Sequence, residues 1–138
     1  MKKQGAILEF ASERNAEVMK AYRAVARRVN NVNMRAVTSE LVKQPAPRFW
    51  VSEERATDVV SLMLRGADVL KGMRASKRRM FEEICKRVVA ERSLRPGTPL
   101  KWIVADVIYS PAPEFYMEPL TAQDIIYNRI RQCRRKRL

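Results

Sequence analysis

No histidine occurs among the 138 residues, so the chain has neither the commonest general base nor the commonest metal ligand of proteins. It also contains no Gly-rich phosphate loop, no Gly-x-Ser-x-Gly elbow and no cysteine pair at zinc spacing. The adjacent acids Glu53-Glu54 and Glu82-Glu83 would point about 100° apart on a helix, so we interpret them as helix-terminal or solvated charges. We therefore expect no enzyme activity, catalytic residue, cofactor or bound metal.

Cysteine, glycine and long apolar runs are also scarce. Cys85 and Cys133 are too few for a disulfide framework, and we interpret them as a packed small hydrophobe and a free thiol in the tail. No apolar run approaches the roughly 18 residues that span a bilayer, and the apolar stretch after Met1 is too short for a signal peptide. With 46% hydrophobic residues and four glycines, the composition predicts a folded, cytoplasmic protein outside the membrane.

Positive charge is abundant, with 28 Lys and Arg against 15 Asp and Glu and a net charge of +13. This exceeds what solubility requires and favours a polyanionic partner, most commonly nucleic acid, although charge alone leaves an anionic membrane surface open. Two clusters dominate, one in the middle of the chain and one at its end: Lys71, Arg74, Lys77, Arg78 and Arg79, then Arg129, Arg131, Arg134, Arg135, Lys136 and Arg137. A merely solvated basic face is the alternative interpretation.

The chain repeats itself at a constant offset of 66 residues. Pro45-Ala46-Pro47-Arg48-Phe49-Trp50 aligns without a gap with Pro111-Ala112-Pro113-Glu114-Phe115-Tyr116, where four of six positions are identical and a fifth exchanges one aromatic for another. The same offset pairs apolar positions: Val37 with Ile103, Leu41 with Val107, Val42 with Ile108, Val59 with Ile125, Val60 with Ile126 and Leu64 with Ile130. The pattern predicts an internal duplication of two copies.

Each copy is predicted to contain three helices. The opening helix of copy one shows an apolar stripe over residues 15–29, and the second helices fall at about 33–43 and 99–109, the latter with Thr98 as N-cap. Third helices begin after Ser52 and at Pro119, and Gly66 ends the first of them.

We therefore predict an all-α fold of two tandem three-helix units that share or abut a core. The units are residues 1–66 and 80–138, joined by a basic linker at 67–79, and the last helix extends into a basic C-terminal tail. Phe49 and Phe115 are predicted to fill the core beside the rigid Pro-Ala-Pro loop. Exposure of Trp50 or Tyr116 as a stacking surface for bases is the alternative.

A tandem of three-helix units is analogous to Myb-like and homeodomain-like DNA-binding repeats, in which the last helix enters the major groove. The analogy concerns helix order alone. The third helix of copy one fits it poorly, because Glu53, Glu54 and Asp58 would repel phosphates. The third helix of copy two is better suited and offers Thr121, Gln123, Tyr127, Asn128 and Arg131.

The whole chain, and above all its Pro-Ala-Pro-x-Phe-aromatic element followed by a short helix, resembles small basic tandem-repeat proteins of gut Bacteroidales and their mobile elements. The resemblance implies a mobile-element setting and no particular activity.

Two functions follow as hypotheses. The first is a nucleic-acid-binding accessory protein, with DNA favoured over RNA, whose linker and tail contact phosphates while Gln123, Tyr127, Asn128 and Arg131 contact bases. The second is a helical adaptor or assembly subunit that docks on an acidic protein, such as a polymerase-like enzyme or a phage particle component. The sequence predicts no oligomeric state.

Overall fold

The computed structural model of the chain describes residues 2–29 and 33–137, with side chains over 10–28 and 33–135. Its helices are α1 (Lys2–Val29), α2 (Met34–Leu41), α3 (Glu53–Leu64), α4 (Ala75–Leu94), α5 (Leu100–Ile108) and α6 (Pro119–Arg137). Within these ranges no β-strand forms, and extended pairing is limited to one antiparallel bridge between Ala46 and Ala112. The all-α prediction is confirmed.

The chain divides into two compact units. Unit 1 contains residues 1–45 and 113–138, and unit 2 contains residues 46–112. In unit 1 the helices α1, α2 and α6 pack on one another, and in unit 2 the same is true of α3, α4 and α5. Each unit therefore combines the first two helices of one predicted copy with the third helix of the other.

These units differ from the predicted division into residues 1–66 and 80–138. Apolar periodicity indicates which face of a helix is buried, but it does not indicate which partner covers that face. The two third helices have similar apolar stripes, so either could fit either pair of partner helices, and the sequence alone does not choose between them.

The loops between second and third helices determine this choice. In unit 2 the amide of Phe49 donates to the carbonyl of Ile108 at the end of α5, with N···O 2.9 Å. In unit 1 the amide of Phe115 donates to the carbonyl of Val42 at the end of α2, with N···O 3.0 Å. Each bond fixes the loop just before a third helix begins. The following helix is thereby directed onto the second helix of the other predicted copy, α3 onto α5 and α6 onto α2.

Most helix boundaries follow local chemistry. Ser52 caps α3 by accepting the Arg55 amide at 3.1 Å, and α6 begins at Pro119, both as predicted. Gly66 has φ +83°, and its left-handed conformation ends the turn after α3 as predicted. Thr98 is not the N-cap of α5, because that helix begins at Leu100, one residue later than predicted, and Pro99 occupies the cap position.

The predicted linker at 67–79 is partly helical. Helix α4 begins at Ala75, so Lys77, Arg78 and Arg79 lie in its first turns. No Gly or Pro occurs between Gly72 and the end of α4, so nothing in this stretch interrupts the helix. The non-helical connection is therefore short.

Both phenylalanines of the repeated loop are buried, as predicted, with exposed fractions of 0% for Phe49 and 2% for Phe115. Trp50 is also buried, which argues against the alternative interpretation that its ring is an exposed stacking surface for bases. Tyr116 is half-buried with φ +53°, a left-handed conformation that is uncommon outside glycine.

Truncation of either phenylalanine tests this core. We expect Phe49→Ala and Phe115→Ala each to lower the free energy of unfolding by about 3–5 kcal/mol, because each leaves a cavity beneath the loop that positions a third helix. Urea unfolding followed by far-UV circular dichroism measures the loss. The control is Leu120→Ala, at a side chain that is 69% exposed, which should change the free energy by less than about 0.5 kcal/mol. Phenylalanine variants as stable as this control would contradict the burial.

Candidate nucleic-acid interface

The excess positive charge lies in three segments that contain no Asp or Glu. Residues 18–39, 69–81 and 125–138 together hold 16 of the 28 Lys and Arg residues. The remainder of the chain holds 12 basic and 15 acidic residues. Outside these segments the net charge is therefore slightly negative, and any strong attraction for a polyanion must come from the segments themselves.

Two of the three segments meet in unit 1, because α6 runs antiparallel to α2. The Phe115 amide bonds Val42 at the end of α2, and eight residues later Gln123 Nε2 donates to Thr38 Oγ1, one turn back along α2, at 3.3 Å. The next turns of α6 therefore approach the start of α2. The end of α1 is at the same place, since only residues 30–33 separate it from α2.

This geometry brings arginines from three helices to one end of unit 1. We call this surface the basic end of unit 1, and its members are all exposed: Arg27, Arg28, Arg35, Arg129, Arg131, Arg134 and Arg135. Asp124 is the last acid along α6, and it precedes this end. Seven guanidinium groups around one end of a three-helix unit create a concentrated positive potential that suits phosphate oxygens.

The outer face of α6 contains most of the residues predicted to contact bases. Tyr127, Asn128 and Arg131 are exposed, and Tyr127 shows 43% of its surface. Beyond Ile130 the helix is exposed on every side, because the five consecutive residues 131–135 are all exposed and span more than one turn. Lys136 and Arg137 continue the helix, but their side chains lie outside the described part.

Gln123 does not lie on the exposed outer face of α6. It is half-buried on the flank of α6 that faces α2, and its amide donates to Thr38 Oγ1. Thr38 is fully buried and its hydroxyl also donates to the Met34 carbonyl at 2.8 Å. Gln123 therefore joins α6 to α2, and the prediction that it contacts bases does not fit this position.

The middle cluster of basic residues lies in unit 2. Its members are all exposed, on the turn before α4 and on the first turns of that helix: Lys71, Arg74, Lys77, Arg78 and Arg79. Positive side chains at a helix N-terminus add to the partial positive charge of the helix dipole there. This surface can contact phosphates, but it contains no aromatic or amide side chain that could contact a base.

Not every arginine belongs to a basic surface. Arg87, on α4, makes three bonds: Nε to Glu83 Oε2 at 2.8 Å, Nη1 to the Pro111 carbonyl at 2.8 Å and Nη1 to Ser110 Oγ at 3.3 Å. Its guanidinium also lies 5.1 Å from the centre of the Phe49 ring. Arg87 thus ties α4 to the repeated loop of unit 2.

Arg48 has a similar structural role in unit 2. It is buried, donates to the carbonyls of Phe49 at 3.0 Å and Val51 at 2.8 Å, and stacks 4.6 Å from the centre of the Tyr109 ring. The Tyr109 hydroxyl in turn donates to Glu53 Oε2 at 2.8 Å. These contacts brace the loop that precedes α3.

Burial raises the pKa of the Cys85 thiol, which makes it a poorer nucleophile. Over residues 10–28 and 33–135, whose side chains are described, no three His, Cys, Asp or Glu side chains come together as metal ligands. None of the described helices combines the length and the apolar composition needed to cross a bilayer.

Comparisons with protein-family models, with curated protein sequences and with solved structures give no match for this chain. The fold and the site together define an all-helical protein with one strongly basic end on unit 1 and a second basic turn on unit 2.

Sequence reasoning singled out the basic clusters in the middle and at the end of the chain, and it did not join Arg27, Arg28 or Arg35 to the second of them. The signal that could have joined them is charge, because 18–39 and 125–138 contain five and six basic residues with no Asp or Glu. Their meeting at one end still depends on the direction of α6 along α2, which no local pattern indicates.

The contribution of Arg87 to stability can be compared with that of its exposed neighbour Lys86. We expect Arg87→Met to lower the free energy of unfolding by about 1–2 kcal/mol, because it removes bonds to Glu83, Ser110 and Pro111. Lys86→Met is the matched control, with the same charge change at an exposed position, and should cost less than about 0.5 kcal/mol. Urea unfolding measures both. Equal stability of the two variants would contradict a structural role for Arg87.

Proposed function

We propose that the protein is a nucleic-acid-binding accessory protein without enzyme activity, and that DNA is its target rather than RNA. The basic end of unit 1 and the exposed turn of Lys71, Arg74, Lys77, Arg78 and Arg79 contact the phosphate backbone. The observation that supports this is the concentration of the excess charge in three acid-free segments, two of which meet in unit 1.

Charge concentration matters because phosphate binding releases counterions. Each phosphate neutralised by Lys or Arg contributes about 0.9 to the slope of log affinity against log salt on duplex DNA. A solvated basic face, spread evenly with acids between the bases, gives no such slope. The basic end of unit 1 has seven arginines and no acid among them, so we expect its binding to phosphates to depend on salt.

We also propose that the two halves of the chain arose by duplication and kept equivalent local structure. In support, α2 and α5 begin at Met34 and Leu100, and α3 and α6 begin at Glu53 and Pro119, both pairs 66 residues apart. The loop bonds from Phe49 to Ile108 and from Phe115 to Val42 are equivalent at the same offset. The copies would then have diverged where α6 acquired its basic extension and α3 did not.

A charge-matched set of variants tests the binding proposal. The tail variant replaces Arg134, Arg135 and Arg137 with alanine, and the control variant replaces the exposed residues Lys43, Arg92 and Lys101, which lie outside the acid-free segments. Both lose three charges. We expect the tail variant to bind every duplex more weakly, with a salt slope smaller by up to about 3, and the control to keep the wild-type slope.

The measurement is fluorescence anisotropy with labelled duplex DNA, single-stranded DNA and RNA over a salt series. Wild-type binding weaker than about 100 µM to all three at low salt would refute the proposal, because non-specific binders reach about 10⁻⁴–10⁻⁶ M even at physiological salt. Equal slopes for the tail and control variants would refute the role of the tail. A third variant, Arg74→Ala with Lys77→Ala and Arg78→Ala, measures the contribution of the turn in unit 2.

A helical adaptor that docks on an acidic protein is the second candidate, and Trp102 favours it. This ring is 58% exposed on α5, and Tyr109, seven residues later on the same face, is 51% exposed. Exposed tryptophan and tyrosine are enriched at protein interfaces. Lys101, beside Trp102, is an exposed base that would face an acidic partner.

The two candidates differ in what the purified protein contains. If the adaptor is correct, we expect a discrete oligomer or complex by light scattering, an absorbance ratio that excludes nucleic acid, and dissociation of the complex on Trp102→Glu. Lys43→Glu, which adds the same acid on unit 1, is the control and should leave the complex intact. A monomer that retains nucleic acid regardless of Trp102 would argue against the adaptor.

A further inference from the structure

The last turns of α6 present polar side chains in a regular pattern. Asn128, Arg131, Gln132 and Arg135 occupy positions i, i+3, i+4 and i+7, which share one face of a helix. All four are exposed. Two arginines and two amides are the side chains that pair bidentately with guanine and with adenine in the major groove of DNA.

Two more arginines flank this face. At about 100° per residue, Arg129 and Arg134 lie roughly 110° to either side of its centre. Both are exposed. A helix with its base-contacting face inserted in a groove would direct these two side chains toward the phosphates on opposite sides of that groove. The layout separates base contacts from phosphate contacts.

The helix is also accessible enough to enter a groove. Residues 131–135 are exposed on every side, so α1 and α2 do not occupy the space around this part of α6. From Asn128 to Arg137 the helix rises about 15 Å, nearly three turns. The major groove of B-DNA is about 12 Å wide and admits one α-helix, whereas the deep, narrow major groove of A-form RNA does not.

We propose that the C-terminal part of α6 lies in the major groove of duplex DNA and discriminates between sequences through Asn128, Arg131, Gln132 and Arg135. This inference rests on the proposed nucleic-acid binding and adds its target, its groove and its specificity-determining residues. It replaces Gln123, whose amide is bonded to Thr38 inside unit 1. It also reassigns Arg131 and Arg135 from phosphate contacts to base contacts and leaves the other arginines of the basic end on phosphates. It also adds Gln132, which the sequence pattern of the third helix did not single out.

The test begins with selection from a pool of random 20-base-pair duplexes bound to the full-length protein. Affinities for the selected duplex and for a scrambled duplex are then measured by fluorescence anisotropy. The ratio of the two affinities reports sequence discrimination. We expect Asn128→Ala and Gln132→Ala each to reduce this ratio by about fivefold to 150-fold, the range for one bidentate base contact, with the salt slope unchanged.

Two controls keep the interpretation specific. Arg129→Ala should weaken binding to both duplexes equally and lower the salt slope by about 0.9, as expected for loss of one phosphate contact. Gln44→Ala removes an amide from the loop after α2, where its side chain donates to the Glu40 carbonyl, and should leave the ratio unchanged. Unfolding curves of all four variants check that each is folded.

Several outcomes would overturn the inference. Selection that enriches no sequence, or ratios unchanged in both amide variants, would show that α6 does not discriminate bases, while salt-dependent binding would leave the proposed function intact. Tighter binding of single-stranded DNA or RNA than of any duplex would exclude the groove and likewise leave nucleic-acid binding standing. Absence of binding to every nucleic acid at low salt would overturn the proposed function itself.

Discussion

The fold depends on how two backbone amides are bonded. The amides of Phe49 and Phe115 each donate to a carbonyl at the end of a second helix, Ile108 in unit 2 and Val42 in unit 1. Their side chains are buried beneath the same loops, so one residue supplies both the hydrogen bond and the apolar contact. The two rigid prolines that precede each phenylalanine limit where the next helix can begin. Placement of α3 and α6, and with α6 the basic end of unit 1, follows from this local constraint.

The two third helices, α3 and α6, have different roles. Helix α3 spans Glu53–Leu64, begins with two acids and stops at the turn of Gly66. Helix α6 spans Pro119–Arg137, has no Gly or Pro after its first residue, and continues past its packing partners as an exposed basic helix. The same packing face is thus retained in both. Their difference in length and charge is what makes one helix structural and the other a candidate contact with DNA.

Much of the fold could be predicted because it depends on local chemistry. The buried phenylalanines, the Ser52 cap, the Pro119 start and the Gly66 turn all follow from residue types at neighbouring positions. The helices that pack against α3 and against α6 could not be predicted. The two third helices have similar apolar stripes, so either stripe could pack on either pair of partner helices.

The candidate site could also be predicted only in part. Exposure of the two basic clusters followed from their composition, but two further results required contacts between distant residues. Gln123 meets Thr38 across 85 positions, and Arg87 meets Pro111 across 24. These contacts remove one residue from the predicted interface and assign another to the framework. The contact between Gln123 and Thr38 also sets the direction of α6 along α2, and so brings the arginines of α1 and α2 beside those of the tail.

The order in which the units become complete follows from their boundaries along the chain. Unit 2 is one continuous stretch, residues 46–112, whereas unit 1 needs residues 113–138 to join residues 1–45. A ribosome delivers residues from the N-terminus onward, and compact units generally fold as they emerge. During synthesis unit 2 can therefore close first, while α1 and α2 wait for α6. The basic end of unit 1 assembles later, so a nascent chain does not present the complete surface to nucleic acid until α6 has emerged.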